Sequence, residues 1–262
     1  MNRRKIKSIY DHPLYYEVAF SYRNICQEVD TFERCISLFS HIPVRTVLEL
    51  GCGPAPHMVE LMRRGYEYLG IDLNQRMLDF AGSRADRAGF SPALLKEDMV
   101  QFSLERQVDF AFVLLGSLYV TNTAELLSHF ESVASALRPG GIYFLDWCVH
   151  FDRSMEDSGS WEIEQDELRT ETSYSRRHVD LVGQTFEEVI KIRVEDHGNE
   201  LELEEKHVKR AIYPQEFILL TEKTGRFDFV GWWNNWDLNE PIGEERTNAR
   251  DKRIERPITV IR

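Results

Sequence analysis

Two glycines follow an acidic residue at the end of an apolar run near position 50. Val47–Leu50 reads as a buried strand, and Glu49, Gly51 and Gly53 lead from it into a helical pattern. At such a strand–loop–helix junction the backbone N–H groups are free to contact a nucleotide-like ligand. Asp72 lies 19 residues beyond Gly53, at the end of a second apolar run. An acidic residue at that distance typically binds ribose hydroxyls, so the spacing predicts a ligand that contains adenosine.

The residues after the loop exclude two common phosphate-binding motifs. A dinucleotide loop needs a third glycine at position 56, which is Pro56, a residue suited to the first turn of a helix. A P-loop needs Gly-Lys-Ser/Thr, and Pro56-His57-Met58 offers none of these. The remaining pattern has a carboxylate before the glycines. It favours a cofactor with a cationic sulfonium and an amino-acid end over one with a pyrophosphate.

Five short motifs occur in the order and at the separations that resemble the class I S-adenosylmethionine-dependent methyltransferases. They are Glu49–Gly53, Gly70–Asn74, Glu97–Met99, Leu115–Tyr119 and Leu137–Gly141. The resemblance covers about residues 14–150 and the end of the chain. It implies S-adenosyl-L-methionine as cofactor and S-adenosyl-L-homocysteine as product. The sequence departs from the family at Ala55, where a third glycine is common, so the loop's path is expected to be irregular there.

The resemblance also implies which residues hold the cofactor. Asp72 would bind the ribose, Asp98 the adenine amino group, and Tyr22 or Arg23 the cofactor's carboxylate. Tyr16 lies in Tyr15-Tyr16-Glu17, which resembles a lid motif of small-molecule members. The full predicted set is Tyr16, Tyr22, Arg23, Glu49, Gly51, Cys52, Gly53, Asp72, Leu73, Met77, Asp98, Met99, Leu115 and Gly116. Simpler roles stay open: Asp72 as a helix cap, Asp98 as a solvated loop residue, and the tyrosines as packing.

Methyl transfer is an in-line displacement, so the protein must align the acceptor, exclude water and manage a proton. Candidates for these tasks follow the fourth and fifth predicted strands, and Tyr119 and His150 are selected as catalytic over Asp146 and Trp147. Each of the four has an alternative role in packing or at a strand end. His178 and His207 are expected at the surface, and no His, Asp and Glu set has metal-ligand spacing. Trp232–Trp236 is predicted either to wall the acceptor site or to belong to the core.

Composition restricts the function classes. The 262-residue chain carries a net charge of −12, which disfavours nucleic-acid binding, and no apolar run is long enough to span a membrane. The four cysteines are scattered, as expected of reduced thiols in a cytoplasmic protein. Residues 151–210 hold 17 acidic and 9 basic residues. This local charge favours a cationic acceptor such as an amine, although a wet sheet face would account for it equally.

Apolar segments alternate with helical patterns through residues 46–148, after a helical pattern over 14–41. This alternation predicts an α/β fold with a doubly wound, mostly parallel seven-stranded Rossmann-like sheet. Period-two alternation then indicates an inserted antiparallel β meander, with a hairpin turn at His197–Asn199. The predicted units are a helical lid and cofactor-binding core (1–150), the β insert (151–212), and a last helix and strands that complete the core sheet (213–262). The insert would form an acceptor lid or a subunit contact.

The sequence thus predicts a methyltransferase that modifies a small molecule, at nitrogen rather than oxygen. Two alternatives stay open: an RNA or protein methyltransferase, and a non-catalytic sensor or scaffold that binds the cofactor. Neither nucleic acid nor membrane is expected as a partner, and a homodimer is considered.

Overall fold

The computed structural model describes residues 8–152, 154, 156–243 and 254–262. The strands are β1 (Thr46–Leu50), β2 (Glu67–Asp72), β3 (Ala93–Lys96), β4 (Val108–Val113), β5 (Leu137–Asp146), β6 (Asp157–Gln165), β7 (Leu168–Asp180), β8 (Thr185–Asp196), β9 (Asn199–Arg210), β10 (Phe229–Trp233) and β11 (Ile258–Ile261). The α-helices are α1 (Pro13–Ala19), α2 (Ile25–Phe39), α3 (Met58–Arg63), α4 (Gln75–Ala88), α5 (Thr123–Ala136) and α6 (Pro214–Thr224). A short 3-10 helix, Ile9–Asp11, precedes α1.

Seven strands form the central sheet, in the order β10-β11-β5-β4-β1-β2-β3. Five neighbouring strands run parallel to one another: β3, β2, β1, β4 and β5. Strand β11 is antiparallel to both β5 and β10. All six residues of β4 are buried, as expected of a central strand covered by helices on both faces. The carboxyl ends of β1, β2, β4 and β5 therefore meet at one edge of the sheet. The predicted fold class is confirmed.

The N-terminal helical pattern is not one helix over 14–41, as the periodicity predicts, but two. Helix α1 ends at Ala19, and α2 begins at Ile25 after Asn24, whose side chain accepts a hydrogen bond from Gln27 N at 3.2 Å. An Asn N-cap starts a new helix because it satisfies an otherwise unpaired N–H group. The apolar period continues across the break, so it gives no sign that the chain changes direction there.

The insert is a separate four-stranded antiparallel sheet in the order β6-β7-β8-β9. Its apolar face packs on the N-terminal helices, because Ile192, Val194 and Leu203 cluster with Ile9 and Ala19. The far end of β9 is tied to the core, since Arg210 N donates to Val120 O at 2.7 Å. The sheet therefore lies against both the N-terminal segment and the loop that follows β4.

Two strands of the central sheet are irregular at one end. Strand β4 ends at Val113, two residues before Leu115, which has a left-handed backbone with φ +55°. Strand β5 begins at Leu137, and its pairing with β4 shifts register between Leu137 and Ile142. Within the described ranges, the helices are all too short or too polar to cross a membrane.

Candidate active site

Two adjoining cavities open where the carboxyl ends of β1, β2 and β4 meet. The first, about 520 Å³, is called the glycine-loop cavity; its walls include Glu49, Gly51, Cys52, Gly53, Arg23, Arg63, Arg84 and Leu115. The second, about 560 Å³, is called the Asp72 cavity; its walls include Asp72, Leu73, Met77, Asp98, Met99, Tyr10, Tyr119 and His207. Tyr16, Gly51, Gly53 and Ser117 line both cavities. The structure thus gathers most of the predicted residues around these two cavities.

The loop between β1 and α3 is held in a conformation that favours glycine. Gly51 and Gly53 have φ values of +63° and +52°, and a Cβ on Gly51 would lie 2.7 Å from Met99 Cε. Ala55 adopts φ +49° although it carries a side chain. Left-handed backbone costs an alanine about 1–2 kcal/mol. The departure from the family pattern at Ala55 is therefore accommodated as backbone strain.

Asp72 lies at the end of β2, beside this loop. Its Oδ2 accepts a hydrogen bond from Gly53 N and its Oδ1 accepts one from Asn74 N, each at 2.8 Å. The N-cap of α4 is Asn74 rather than Asp72. Burial raises the pKa of Asp72, and the two backbone N–H groups oppose that rise. Each carboxylate oxygen keeps a second lone pair, so the group can still accept hydrogen bonds from a ligand.

Asp98 and Met99 lie across the Asp72 cavity. Asp98 is exposed, and its Oδ1 accepts a hydrogen bond from Val100 N at 2.9 Å. Behind Met99, the buried His129 lies between Met99 O, 2.7 Å from Nδ1, and Tyr143 Oη, 2.9 Å from Nε2. A carbonyl only accepts, so Nδ1 donates to Met99 O; in a neutral imidazole Nε2 then accepts from the Tyr143 hydroxyl. Burial agrees with this, because it lowers the pKa of His129 to about 4.

Two charged residues, Glu49 on β1 and Arg23 between α1 and α2, line the glycine-loop cavity. Glu49 Oε2 accepts a hydrogen bond from Tyr68 Oη at 2.5 Å. Arg23 is not free for a ligand's carboxylate, because its guanidinium donates to both oxygens of Glu28, at 3.1 and 2.5 Å. Tyr22 is 55% exposed and lines neither cavity; its ring packs on Phe20 and Trp161. The cavity is also lined by three arginines that the sequence did not predict as site residues: Arg63, Arg84 and Arg87.

The loop after β4 is fixed by the end of β5. Leu115 N donates to Asp146 Oδ2 and Gly116 N donates to Asp146 O, each at 2.9 Å. Leu115 lines the glycine-loop cavity, whereas Gly116 lies just outside both cavities. Asp146 also accepts hydrogen bonds from Trp236 and Arg256. The Asp146 carboxylate is thus paired with protein groups that hold the loop after β4 in place. This arrangement favours the alternative role at a strand end over a role in acceptor chemistry.

An aromatic group closes the Asp72 cavity on the side of the insert. Tyr119 Oη lies 2.9 Å from Tyr10 Oη, and the His207 ring packs against both rings, with centroids 4.6 and 5.7 Å away. Lys209 lies over the Tyr119 ring at 5.0 Å, donates to Gly116 O at 3.2 Å, and pairs with the buried Glu188 at 2.7 Å. The insert thus contributes side chains directly to the site.

The expectation that His207 lies at the surface is wrong. Its side chain is 28% exposed, and the residue forms part of the cavity wall. Burial lowers the pKa of His207; Lys209 acts in the same direction, whereas Glu205 and Glu188 oppose it. The alternating pattern of β9 indicated a strand but not which neighbour would cover its end. The pattern therefore contained no signal for the position of His207.

His150 lies apart from the two cavities. Its Nδ1 is 3.3 Å from Ile212 N, its ring packs on Phe186, and burial first, then Arg176 and Lys209, lower its pKa to about 3. It faces a separate cavity together with Trp147. A catalytic contact from His150 to a ligand in the Asp72 cavity is not supported by this placement.

The tryptophan segment belongs to the core. Trp233 is buried, and Trp236 packs on Phe144, with ring centroids 5.1 Å apart. Trp232 packs on Phe229, with centroids 4.5 Å apart. These three residues line neither cavity, so the core alternative holds and the acceptor-wall alternative does not.

Comparisons with known proteins agree with this architecture. Residues 47–141 match the family model described as "Methyltransferase domain". A Bacillus subtilis (strain 168) protein named "Putative methyltransferase YqeM" is 32% identical over 103 residues, which are 38% of this chain and 41% of that protein. The chain is thus matched over less than half the length of its curated relatives.

Solved structures align over nearly the whole chain. An S-adenosylmethionine-dependent methyltransferase from Clostridium acetobutylicum ATCC 824 has a TM-score of 0.76 at 17% identity, with 95% of this chain and 96% of that chain covered. The sugar N-methyltransferase KedS8 from Streptoalloteichus sp ATCC 53650 has a TM-score of 0.72 at 16% identity, with 99% and 95% covered. At such identities the alignments establish the fold, and the family model covers the segment that carries the glycine loop, Asp72 and Asp98. Residues 47–141 therefore match a methyltransferase domain, and the chain as a whole has the fold of S-adenosylmethionine-dependent methyltransferases.

Proposed function

We propose that the chain binds S-adenosyl-L-methionine and transfers its methyl group to a nitrogen atom of a small molecule. The observation that carries the proposal is Asp72. This half-buried carboxylate lies between the glycine loop and a cavity of about 560 Å³, and its oxygens keep lone pairs for two ribose hydroxyls. Such a carboxylate is best suited to bind a pair of vicinal hydroxyls beside an adenine site.

In this proposal, each of the two cavities binds one half of the cofactor. The adenosine half occupies the Asp72 cavity, where Asp98 and Met99 face the adenine. The amino-acid half occupies the glycine-loop cavity, where the Glu49 carboxylate attracts its ammonium group and Arg63, Arg84 and Arg87 attract its carboxylate. The sulfonium supplies an electrophilic methyl group, and it would lie near Gly51, Gly53 and Ser117, which line both cavities.

The nitrogen preference rests on the charge and aromatic character of the cavity wall. Besides Asp72 and Asp98, which are assigned to adenosine, Glu97 and Glu125 line the Asp72 cavity, whose described lining residues include no lysine or arginine. Tyr10, Tyr16 and Tyr119 add aromatic faces that attract a cation. An amine drawn in by this wall must lose a proton to react, and Tyr119 and His207 are the hydrogen-bonding groups beside it. KedS8, a sugar N-methyltransferase, has a related fold, which supports an amine on a small polar scaffold.

The four cysteines support a reducing compartment, and we propose the cytoplasm. All four are unpaired thiols, three of them buried.

Isothermal titration with S-adenosyl-L-methionine tests the cofactor half of the proposal. The folded wild-type protein should bind it, and Asp72→Ala should weaken binding by about 1.5–3 kcal/mol, the worth of hydrogen bonds to a charged group. Asp79→Ala is the matched control, because Asp79 is an exposed carboxylate on α4 whose Oδ1 accepts a bond from Gln75. No binding by the wild-type protein would refute the proposal.

Methyl transfer from labelled cofactor tests the acceptor half. Amino sugars and other small amines are compared with hydroxylated analogues that lack the amine, and with total RNA and protein. We expect label in the amines together with formation of S-adenosyl-L-homocysteine. Label confined to hydroxyls, RNA or protein would overturn the nitrogen assignment, and binding without turnover on any of these would indicate a sensor.

A further inference from the structure

A buried ionic network joins the two loops that wall the glycine-loop cavity. It begins at Glu49, whose Oε1 lies 3.7 Å from His57 Nδ1, and His57 Nε2 lies 2.7 Å from Glu28 Oε2. Glu28 on α2 is also paired with Arg23. His57 is fully buried, and Glu28 and Glu49 are nearly so. The glycine loop is thus connected through His57 to α2.

Arg256 continues the network to the second loop. Its Nη1 donates to Glu28 Oε1 at 3.1 Å, and its Nε and Nη2 donate to Asp146 Oδ1 and Oδ2 at 3.0 and 2.7 Å. Asp146 Oδ2 in turn accepts the N–H of Leu115, which lines the glycine-loop cavity. The guanidinium also packs over the Trp236 ring at 4.5 Å. One side chain therefore joins the α2 carboxylate to the carboxylate that orients the loop after β4.

The charges of this network depend on one another. Burial alone would raise the pKa of Glu28, but hydrogen bonds from His57 and Arg23 hold it well below its usual range. Burial would lower the pKa of Arg256, but Asp146 and Glu28 raise it. Removing one member of a buried ion pair leaves the other uncompensated, which is strongly destabilising locally. Loss of Arg256 would therefore disturb both Glu28 and Asp146.

We propose that Arg256 is a positioning residue for the amino-acid half of the cofactor, because it fixes Glu28 and Asp146 and through them the two loops around that half. The inference rests on the proposed function. Arg256 is not among the described residues that line either cavity. Its effect on cofactor binding is therefore transmitted through Glu28 and Asp146. The adenosine half is held by Asp72, Asp98 and Met99, which take no part in this network. Arg256 should therefore matter for one half of the ligand and not for the other.

The test compares two ligands that share adenosine and differ at the amino-acid end. S-adenosyl-L-homocysteine carries that end, and 5′-methylthioadenosine lacks it. Titration calorimetry on Arg256→Gln should show S-adenosyl-L-homocysteine bound at least about tenfold more weakly than by the wild-type protein, the size expected for a lost charge-assisted contact. Binding of 5′-methylthioadenosine should change less than about twofold. Arg256→Lys should fall between, since an ammonium group cannot serve both carboxylates with the same fork of donors.

Arg64→Gln is the matched control. Arg64 also joins α2 to another element, through Asp30, Glu33 and Glu60, but the side chains of its partners on α2 are exposed, and Arg64 lines neither cavity. It should bind both ligands like the wild-type protein. Thermal unfolding without ligand measures what each substitution costs the fold, and if Arg256→Gln does not fold, Arg256→Lys carries the comparison.

Two outcomes would overturn the inference. One is an unchanged affinity for S-adenosyl-L-homocysteine in the Arg256 variants, and the other is an equal loss for both ligands, which indicates a general effect on the fold. Failure of the proposed function looks different, because the wild-type protein would then bind neither ligand.

Discussion

Gly53→Ala separates the glycine loop's conformational role from its role as a cavity wall. Gly53 has φ +52°, and a Cβ there would meet no protein atom within 4 Å, while the residue lines both cavities. The added methyl group should therefore strain the backbone without a clash and project into the space assigned to the cofactor. Gly89 is a suitable reference, since it has φ +76°, an equally open Cβ position, and a place at the end of α4 outside both cavities.

The expected stability loss is the same for the two variants. Alanine in a left-handed conformation costs about 1–2 kcal/mol, which corresponds to a fall in melting temperature of roughly 2–8 °C for a chain of this size. Scanning calorimetry without ligand should show comparable falls for Gly53→Ala and Gly89→Ala.

The two variants should differ in cofactor affinity. Gly53→Ala should bind S-adenosyl-L-methionine at least about tenfold more weakly, a loss of about 1.4 kcal/mol or more, whereas Gly89→Ala should bind as the wild-type protein does. Wild-type affinity in Gly53→Ala would refute the placement of the cofactor against this glycine. A melting temperature far below that of Gly89→Ala would refute the claim that the site is open.

Three further predictions concern strain, protonation and the acceptor side. Ala55→Gly should change the free energy of unfolding by less than about 1 kcal/mol, because relief of left-handed strain offsets a lost buried methyl group and a more flexible unfolded chain; a larger loss in urea unfolding would contradict this. The His129 pKa of about 4 lies below the unfolded value of 6.5, so the unfolded state binds more protons and stability falls as pH drops through this interval. Urea unfolding at pH 7 and pH 5 should therefore show that His129→Gln removes about 2 kcal/mol of the wild-type pH dependence, and an unchanged dependence would show that His129 is not held neutral. Tyr119→Phe should leave cofactor affinity within about twofold but lower methyl transfer to amines by about tenfold or more, on the scale of a proton-handling or hydrogen-bonding group, and equal kcat in both proteins would exclude such a role for the hydroxyl.

The core of the fold was predictable because its signals are local. The strand β1, the glycines after it and Asp72 are close in sequence, and parallel strands bring their carboxyl ends together by topology alone. The same holds for helix α4, whose ends are set by the neighbouring residues Asn74, the N-cap, and Gly89, the left-handed C-cap. Family resemblance then supplied the nature of the ligand.

The parts that were missed depend on contacts between distant segments. Tyr22 or Arg23 was predicted to bind the cofactor's carboxylate; in the structure Glu28 and His57 engage Arg23 in a buried network that no single motif encodes. His207 was expected at the surface because alternation along β9 does not show which segment covers the strand's end. In the structure, Tyr10 and Tyr119 cover it from positions far away in sequence. Burial of a polar side chain is decided by its partners, and those partners come from the tertiary fold.

The connection of β9 to the loop after β4 bears on how new acceptor ranges can be engineered. Lys209 and Arg210 attach the end of the insert to Gly116 and Val120 by hydrogen bonds to backbone carbonyls, and backbone carbonyls are available whatever side chains occupy those positions. An insert sheet from a related enzyme could therefore replace β6–β9 and stay attached to this loop. It would need only a lysine at position 209 and a backbone N–H group at position 210 to make the same two hydrogen bonds. Chimeras exchanged between β5 and α6 would then test the proposed role of the insert in acceptor choice, because the recipient protein keeps its own glycine loop and Asp72.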